Sequence, residues 1–106
     1  MNSRIIREDQ LKRFESELEQ AERSPATIEK YLRDVGAFAA WLAGAPVTKE
    51  GTAAWKAALL ARGLAPATVN SMLAAVNHFL TSAGLAECRV RPLRLQRQLF
   101  REAAGS

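Results

Sequence analysis

Two stretches of this chain open in the same way, 41 positions apart: Pro25-Ala26-Thr27-Ile28 and Pro66-Ala67-Thr68-Val69. Leu32 and Leu73, Val35 and Val76, and Phe38 and Phe79 then fall in register. Proline is favoured at the first position of a helix, where its missing N–H costs nothing, and Ser24 is a suitable N-cap for the first copy. At about 100° per residue, Ile28, Tyr31, Leu32, Val35, Phe38, Ala39 and Leu42 share one arc, with Glu29, Lys30, Arg33, Gly36 and Ala37 opposite. In the second copy Val69, Met72, Leu73, Val76, Phe79 and Leu80 point inward. Both stripes must be buried, and each helix fits best against another helix.

Two more helices follow from the same kind of reading. Leu11, Phe14, Leu18 and Ala21 mark a stripe over Glu8 to Glu22. Thr48 is an N-cap for Lys49 to Arg62, anchored by Trp55, Ala58 and Leu59. Gly44-Ala45-Pro46, Gly63 and Gly84 are the stop signals. The expected fold class is all-α, a four-helix bundle of two helical hairpins. A chain of 106 residues is enough for one such domain. Two weakly similar copies fall short of the three or more that a repeat array needs. Residues 1–7 read as a loose basic lead-in, 1–86 as the helical domain and 87–106 as a basic linker, cut off before a further domain.

Formal charge is +4 and the pI about 9.8. Residues 1–22 carry four basic and six acidic side chains, so the remainder holds a net +6. This basic excess fits nucleic acid. Cys88 is the one cysteine, which excludes an intrachain disulfide or a Cys-based zinc site and fits a reducing cytoplasm. The N-terminus has no signal-peptide apolar region, and the apolar run Ala37 to Val47 is broken by Gly44 and Pro46, too short for a bilayer. No membrane contact is expected. His78 has no partner in a metal-ligand spacing, Cys88 has no nucleophile motif, and the glycines form no phosphate loop. No catalytic residue, metal or cofactor is therefore expected.

The outward face of the fourth helix carries Thr68, Asn70, Ser71, Ala74, Asn77, His78 and Thr81, without a charge. Asparagine can pair bidentately with adenine, serine and threonine bond bases or phosphates, and alanine meets a thymine methyl. The helix N-terminus beside Thr68 is suited to a phosphate. Lys30 and Arg33 on the second helix supply the non-specific electrostatic term. So does the tail Arg89 to Arg101, with five arginines and no acid. Each of these residues taken singly also reads as merely solvated.

The ordered pattern Ser24-Pro25, Thr27, Tyr31, Val35, Phe38, Trp41-Leu42, then Gly63-Leu64, Pro66, Thr68-Val69-Asn70, Leu73, Val76, Phe79 resembles the N-terminal core-binding domain of tyrosine recombinases, the phage-integrase family. The run Cys88 to Gln98 is similar to the interdomain linker of integrases from mobile genetic elements. The resemblance spans about residues 8–98. It implies a SAM-like four-helix bundle that grips one side of duplex DNA, with the second and fourth helices toward the major groove. The catalytic arginines, histidines and tyrosine of such enzymes belong to a separate C-terminal domain, the implied partner missing here. This chain is thus expected to be catalytically inert alone. Ser71, Met72 and Asn77 stand where the commoner pattern has basic residues, which reduces the counterion-release term.

The resulting expectation is a DNA-binding domain of a site-specific integrase. Thr27, Lys30, Arg33, Thr68, Asn70, Ser71, Asn77 and His78 contact DNA, and Arg91 and Arg94 track the backbone through the linker. Oligomerisation on DNA stays open. A helical protein–protein interaction module is the alternative. A small helix-turn-helix regulator is a third reading, with the Arg62–Pro66 junction as its turn.

Overall fold

The computed structural model describes residues 4–94. Four helices follow in order: α1 (Glu8–Gln20), α2 (Pro25–Leu42), α3 (Lys49–Ala61) and α4 (Pro66–Ser82). A single 3-10 turn at Ala86–Cys88 comes next, and residues 89–94 then run without regular structure. Among the described residues there is no strand, and the fold is an all-α four-helix bundle.

The helix starts have local causes. The Ser24 hydroxyl oxygen accepts from the Thr27 N–H at 3.2 Å, and Thr48 accepts from the Gly51 N–H at 2.8 Å. Both satisfy one of the orphan donors of a first turn. The echo between α2 and α4 breaks here, because Ala65 occupies the N-cap of α4 and offers no side-chain acceptor. Three helices end in a shared closing motif. Glu22, Gly63 and Gly84 each take a left-handed conformation, at φ 61°, 88° and 79°. The following N–H then reaches back to Leu18, Leu59 and Leu80, which caps the last carbonyls. At Glu22 this motif stops α1 two residues before the expected end. Leu64 and Leu85 follow the other two turns and fold onto the core.

α4 is the central helix. It contacts α1, α2, α3 and the 3-10 turn, and packs most extensively on α2. Val69, Leu73, Ala75, Val76, Phe79 and Leu80 are sealed from solvent. They meet Phe14 and Leu18 from α1, Val35 and Phe38 from α2, and Trp55 and Leu59 from α3. Phe14 and Phe79 meet edge-to-face at 5.5 Å, and Phe38 tilts on Trp55 at 5.0 Å. Each such ring contributes roughly 1.5–3 kcal/mol by burial. Two assignments differ from the sequence reading. Ala21 is exposed because α1 has already ended. Ala75, on no apolar stripe, is buried because α4 has neighbours on more than one flank.

Residues 4–7 are not a loose lead-in. The Val47 N–H donates to the Arg4 carbonyl at 2.8 Å. The Arg4 guanidinium pairs with Glu87 at 2.7 Å and donates to the Cys88 sulfur at 3.4 Å. Val47 lies between α2 and α3, and Glu87 and Cys88 lie beyond α4, so no local pattern near residue 4 announces these partners. The same part of the chain also joins the core, with Leu85, Cys88 and Val90 buried. Linker residues expected beyond Arg94, including Arg97 and Arg101, lie outside the described residues. No helix among the described residues is long and apolar enough to cross a membrane.

Candidate nucleic-acid interface

An open cleft of about 650 Å³ separates α2 from the first turns of α4. Lys30, Arg33, Asp34 and Ala37 line it from α2, Arg62 and Leu64 from the end of α3, and Ala67, Thr68, Ser71 and Met72 from α4. The 3.6-residue period explains the α2 contribution, since positions 30, 33, 34 and 37 share one side of the helix. Arg33 and Arg62 have no carboxylate partner among the described residues. The N–H groups of Ala67 and Thr68 likewise have no protein acceptor there. They follow Pro66, which has no N–H, and Ala65, which cannot cap. Two unpaired guanidinium groups and the positive end of a helix thus face one concave surface.

The sequence reading has Lys30 and Arg33 both supplying the electrostatic term, and the structure separates their roles. The Lys30 ammonium is bound to the Asp34 carboxylate one turn along, and donates weakly to the Ser71 carbonyl on α4 at 3.4 Å. It also lies over the Tyr31 ring, 5.9 Å from its centroid. Asp34 is only 5% exposed, so Lys30 serves first to neutralise a buried carboxylate and to tie α2 to α4. Arg33 keeps its full charge toward solvent. Arg62 enters the sequence reading only as the end of the third helix and the start of a turn, not as a contact residue. Its signal was its place at the C-terminal end of α3, directly before the turn into α4.

The two asparagines do not present open amides. Asn77 donates from Nδ2 to the Val90 carbonyl at 2.8 Å and accepts the Val90 N–H at Oδ1, 3.2 Å away. Asn70 treats Leu93 in the same way, donating at 2.9 Å and accepting at 2.6 Å. Between these points the Lys56 ammonium donates to the Arg91 carbonyl at 2.7 Å. The adenine-pairing pattern of both amides is therefore engaged by backbone N–H and C=O groups of the segment after α4.

Of the remaining expected residues, Thr68 and Ser71 line the cleft. Thr27 sits at the capped start of α2, its hydroxyl oxygen accepting from the Ser24 O–H at 2.9 Å. His78 is exposed, but its ring lies edge-on to Phe14 at 5.4 Å and Tyr31 at 5.8 Å. Tyr31 is thereby a packing residue, stacked on Phe14 at 6.3 Å. Arg91 and Arg94 are exposed on the segment that follows the 3-10 turn. Arg89 instead turns back, its Nε donating to the Ala86 carbonyl at 3.0 Å.

Charge is distributed unevenly around the bundle. The groove between α1 and α2 is lined by Glu15, Glu19 and Glu29 with Arg23, whereas Asp34, neutralised by Lys30, is the one acid of the α2–α4 cleft. No group of three or more potential metal ligands occurs among the described residues. Cys88 is buried, and desolvation pushes its thiol pKa up from the ordinary value, which disfavours the reactive thiolate.

The family model described as "Phage integrase, N-terminal SAM-like domain" matches residues 11–84, most of the chain, from the fourth residue of α1 to just past the end of α4. No curated protein and no solved structure matches the chain.

Proposed function

The chain belongs to the phage integrase N-terminal SAM-like domain family, and we propose that it binds duplex DNA and positions it for a catalytic domain outside these residues. The observation that carries this reading is the α2–α4 cleft, where Arg33 and Arg62 stand unpaired beside the uncapped start of α4. A phosphate held there receives N–H groups from Ala67 and Thr68 and charge from both guanidinium groups. Thr68 and Ser71 supply hydroxyls at the cleft wall. Lys30 adds what charge Asp34 leaves it. Thr27 retains its own O–H to donate, and exposed His78 lies two turns along α4 from Ser71. Arg91 and Arg94 extend the contact along the backbone.

In this reading the domain has no chemistry of its own. It contributes electrostatic attraction, orientation and a groove-facing surface, and strand breakage belongs to the catalytic domain. Asn70 and Asn77 are left out of the contact set because both amides are occupied.

Titration of the chain with duplex DNA at several salt concentrations tests the proposal. Each phosphate contact adds about 0.9 to the slope of log affinity against log salt. Arg33→Gln and Arg62→Gln are each expected to lower that slope by about one, and the double variant by about two. A salt-independent affinity, or a slope unmoved by either substitution, rules the cleft out. A salt-insensitive complex with protein in place of DNA would point to an interaction module instead.

A further inference from the structure

The linker is held to the bundle by an unusual kind of contact. Val90 and Leu93 each have both peptide groups, N–H and C=O, bonded to one asparagine side chain of α4. Pro92 has no N–H to satisfy, and the Arg91 carbonyl takes the Lys56 ammonium. The backbone polar groups of this strap are thus met largely by side chains, where a strand would use a neighbouring ladder. Each asparagine imitates one residue of such a ladder, presenting a donor and an acceptor side by side.

The spacing fits this arrangement. Asn70 and Asn77 are seven residues apart on a helix, or about 10.5 Å at 1.5 Å per residue. Val90 and Leu93 are three residues apart on extended chain, or about 10 Å. The order is reversed, so the strap runs antiparallel to α4, from its middle toward its N-terminus. Apolar side chains follow the same register: Val90 is buried, Leu93 packs against the core, and Arg91 and Arg94 stay exposed. The strap therefore passes the second turn of α4 at Leu93, where Asn70 holds it.

We propose that Asn70 and Asn77 are positioning residues. They clamp residues 90–93 antiparallel to α4, which fixes where the exposed Arg91 and Arg94 stand on the surface of the bundle. The role in DNA contact rests on the reading given under Proposed function, while the clamp itself does not. Without the clamp the same arginines would still be present, but an unanchored linker would have to be ordered at the moment of binding.

Two measurements on the 106-residue chain separate these layers. The first is amide hydrogen exchange read residue by residue, in the wild type and in Asn77→Ala, Asn70→Ala and Asn77→Asp. Exchange at Val90 is expected to accelerate about tenfold in both Asn77 variants, and at Leu93 about tenfold in Asn70→Ala. The aspartate keeps the shape and the acceptor but turns the donor into a second oxygen facing the Val90 carbonyl. Leu73 and Val76 amides, unchanged, certify that the bundle is intact. Val90 and Leu93 amides that exchange as freely in the wild type as in the variants overturn the clamp.

The second measurement is binding of a mixed-sequence duplex pool and of one duplex that the wild type selects from it. A positioning role predicts about tenfold weaker binding of both by Asn70→Ala/Asn77→Ala, with the salt slope retained. A loss confined to the selected duplex would make the asparagines base readers and overturn the positioning role. If the wild type binds neither duplex, the DNA reading fails and with it the positioning role, while the exchange data still judge the clamp.

Discussion

Replacing Lys30 with methionine keeps most of the apolar stem and removes the ammonium that Asp34 depends on. The Asp34 side chain is 6% exposed and that of Lys30 33%. No buried side-chain nitrogen or oxygen among the described residues lacks a hydrogen-bond partner, so this substitution would create the first. Stranding one partner of a fully buried pair costs about 3–5 kcal/mol, and an exposed pair is worth about 0–1 kcal/mol. With a third of the lysine in water, the expected cost lies between, near 2 kcal/mol. For a domain of this size that corresponds to a fall in Tm of about 10 °C. Denaturant unfolding of Lys30→Met, Asp34→Asn and the double variant, at an unchanged m-value, completes the cycle. Asp34→Asn is expected to recover about 1 kcal/mol in the Lys30→Met background, because the uncompensated charge is gone. A cost for Lys30→Met below about 0.5 kcal/mol, or strict additivity in the cycle, would refute the strut between α2 and α4.

Ala65→Ser gives α4 the cap that α2 has, and should stabilise the domain by about 1 kcal/mol in thermal or denaturant unfolding. The same hydroxyl would occupy an N–H offered to phosphate, so DNA affinity is expected to fall as stability rises, measurable in one titration. Cys88 is expected to react with alkylating agents only at the rate of unfolding, checked by mass spectrometry with and without denaturant. Its raised pKa, caused chiefly by desolvation, also sets a sign for stability against pH. The native state keeps the proton longer than the unfolded one. Stability is therefore fully present below the ordinary value of 9.0 and declines as pH rises above it. Cys88→Ala should flatten that decline in alkaline unfolding curves.

The helices were legible because their causes are local. Pro25 and Pro66 mark first positions, Ser24 and Thr48 carry capping oxygens, and the stripes of Phe14, Val35, Phe38, Val76 and Phe79 repeat at helical spacing. Periodicity says which face of a helix is apolar, and burial followed it closely. It does not say how many neighbours a helix has, which is why Ala75 on crowded α4 went unmarked. The resemblance to integrase core-binding domains rested on those same ordered residues, and the family match spans them.

The candidate site was only half legible. Arg33 and Thr68 face one cleft because two helix faces meet there, and Arg62 completes it from a third element. Charge in a sequence carries no record of its partner. Lys30 and Arg33 look equivalent until Asp34 proves to be buried beneath the first. Residues 4–7 read as loose for the same reason, since Glu87 and Cys88, which hold Arg4, lie at the other end of the chain.

Sequence alone determined the helix count, their starts, the core and the basic excess, all products of short-range pattern. Tertiary structure decided what the polar face of Pro66–Ser82 is bonded to. An asparagine amide offers a donor and an acceptor side by side, which match an adenine edge and the N–H and C=O of one residue equally well. Asn77 and Asn70 meet the backbone of Val90 and Leu93, 13 and 23 residues further along. That choice depends on where the segment after α4 returns in space, and no local spacing encodes it.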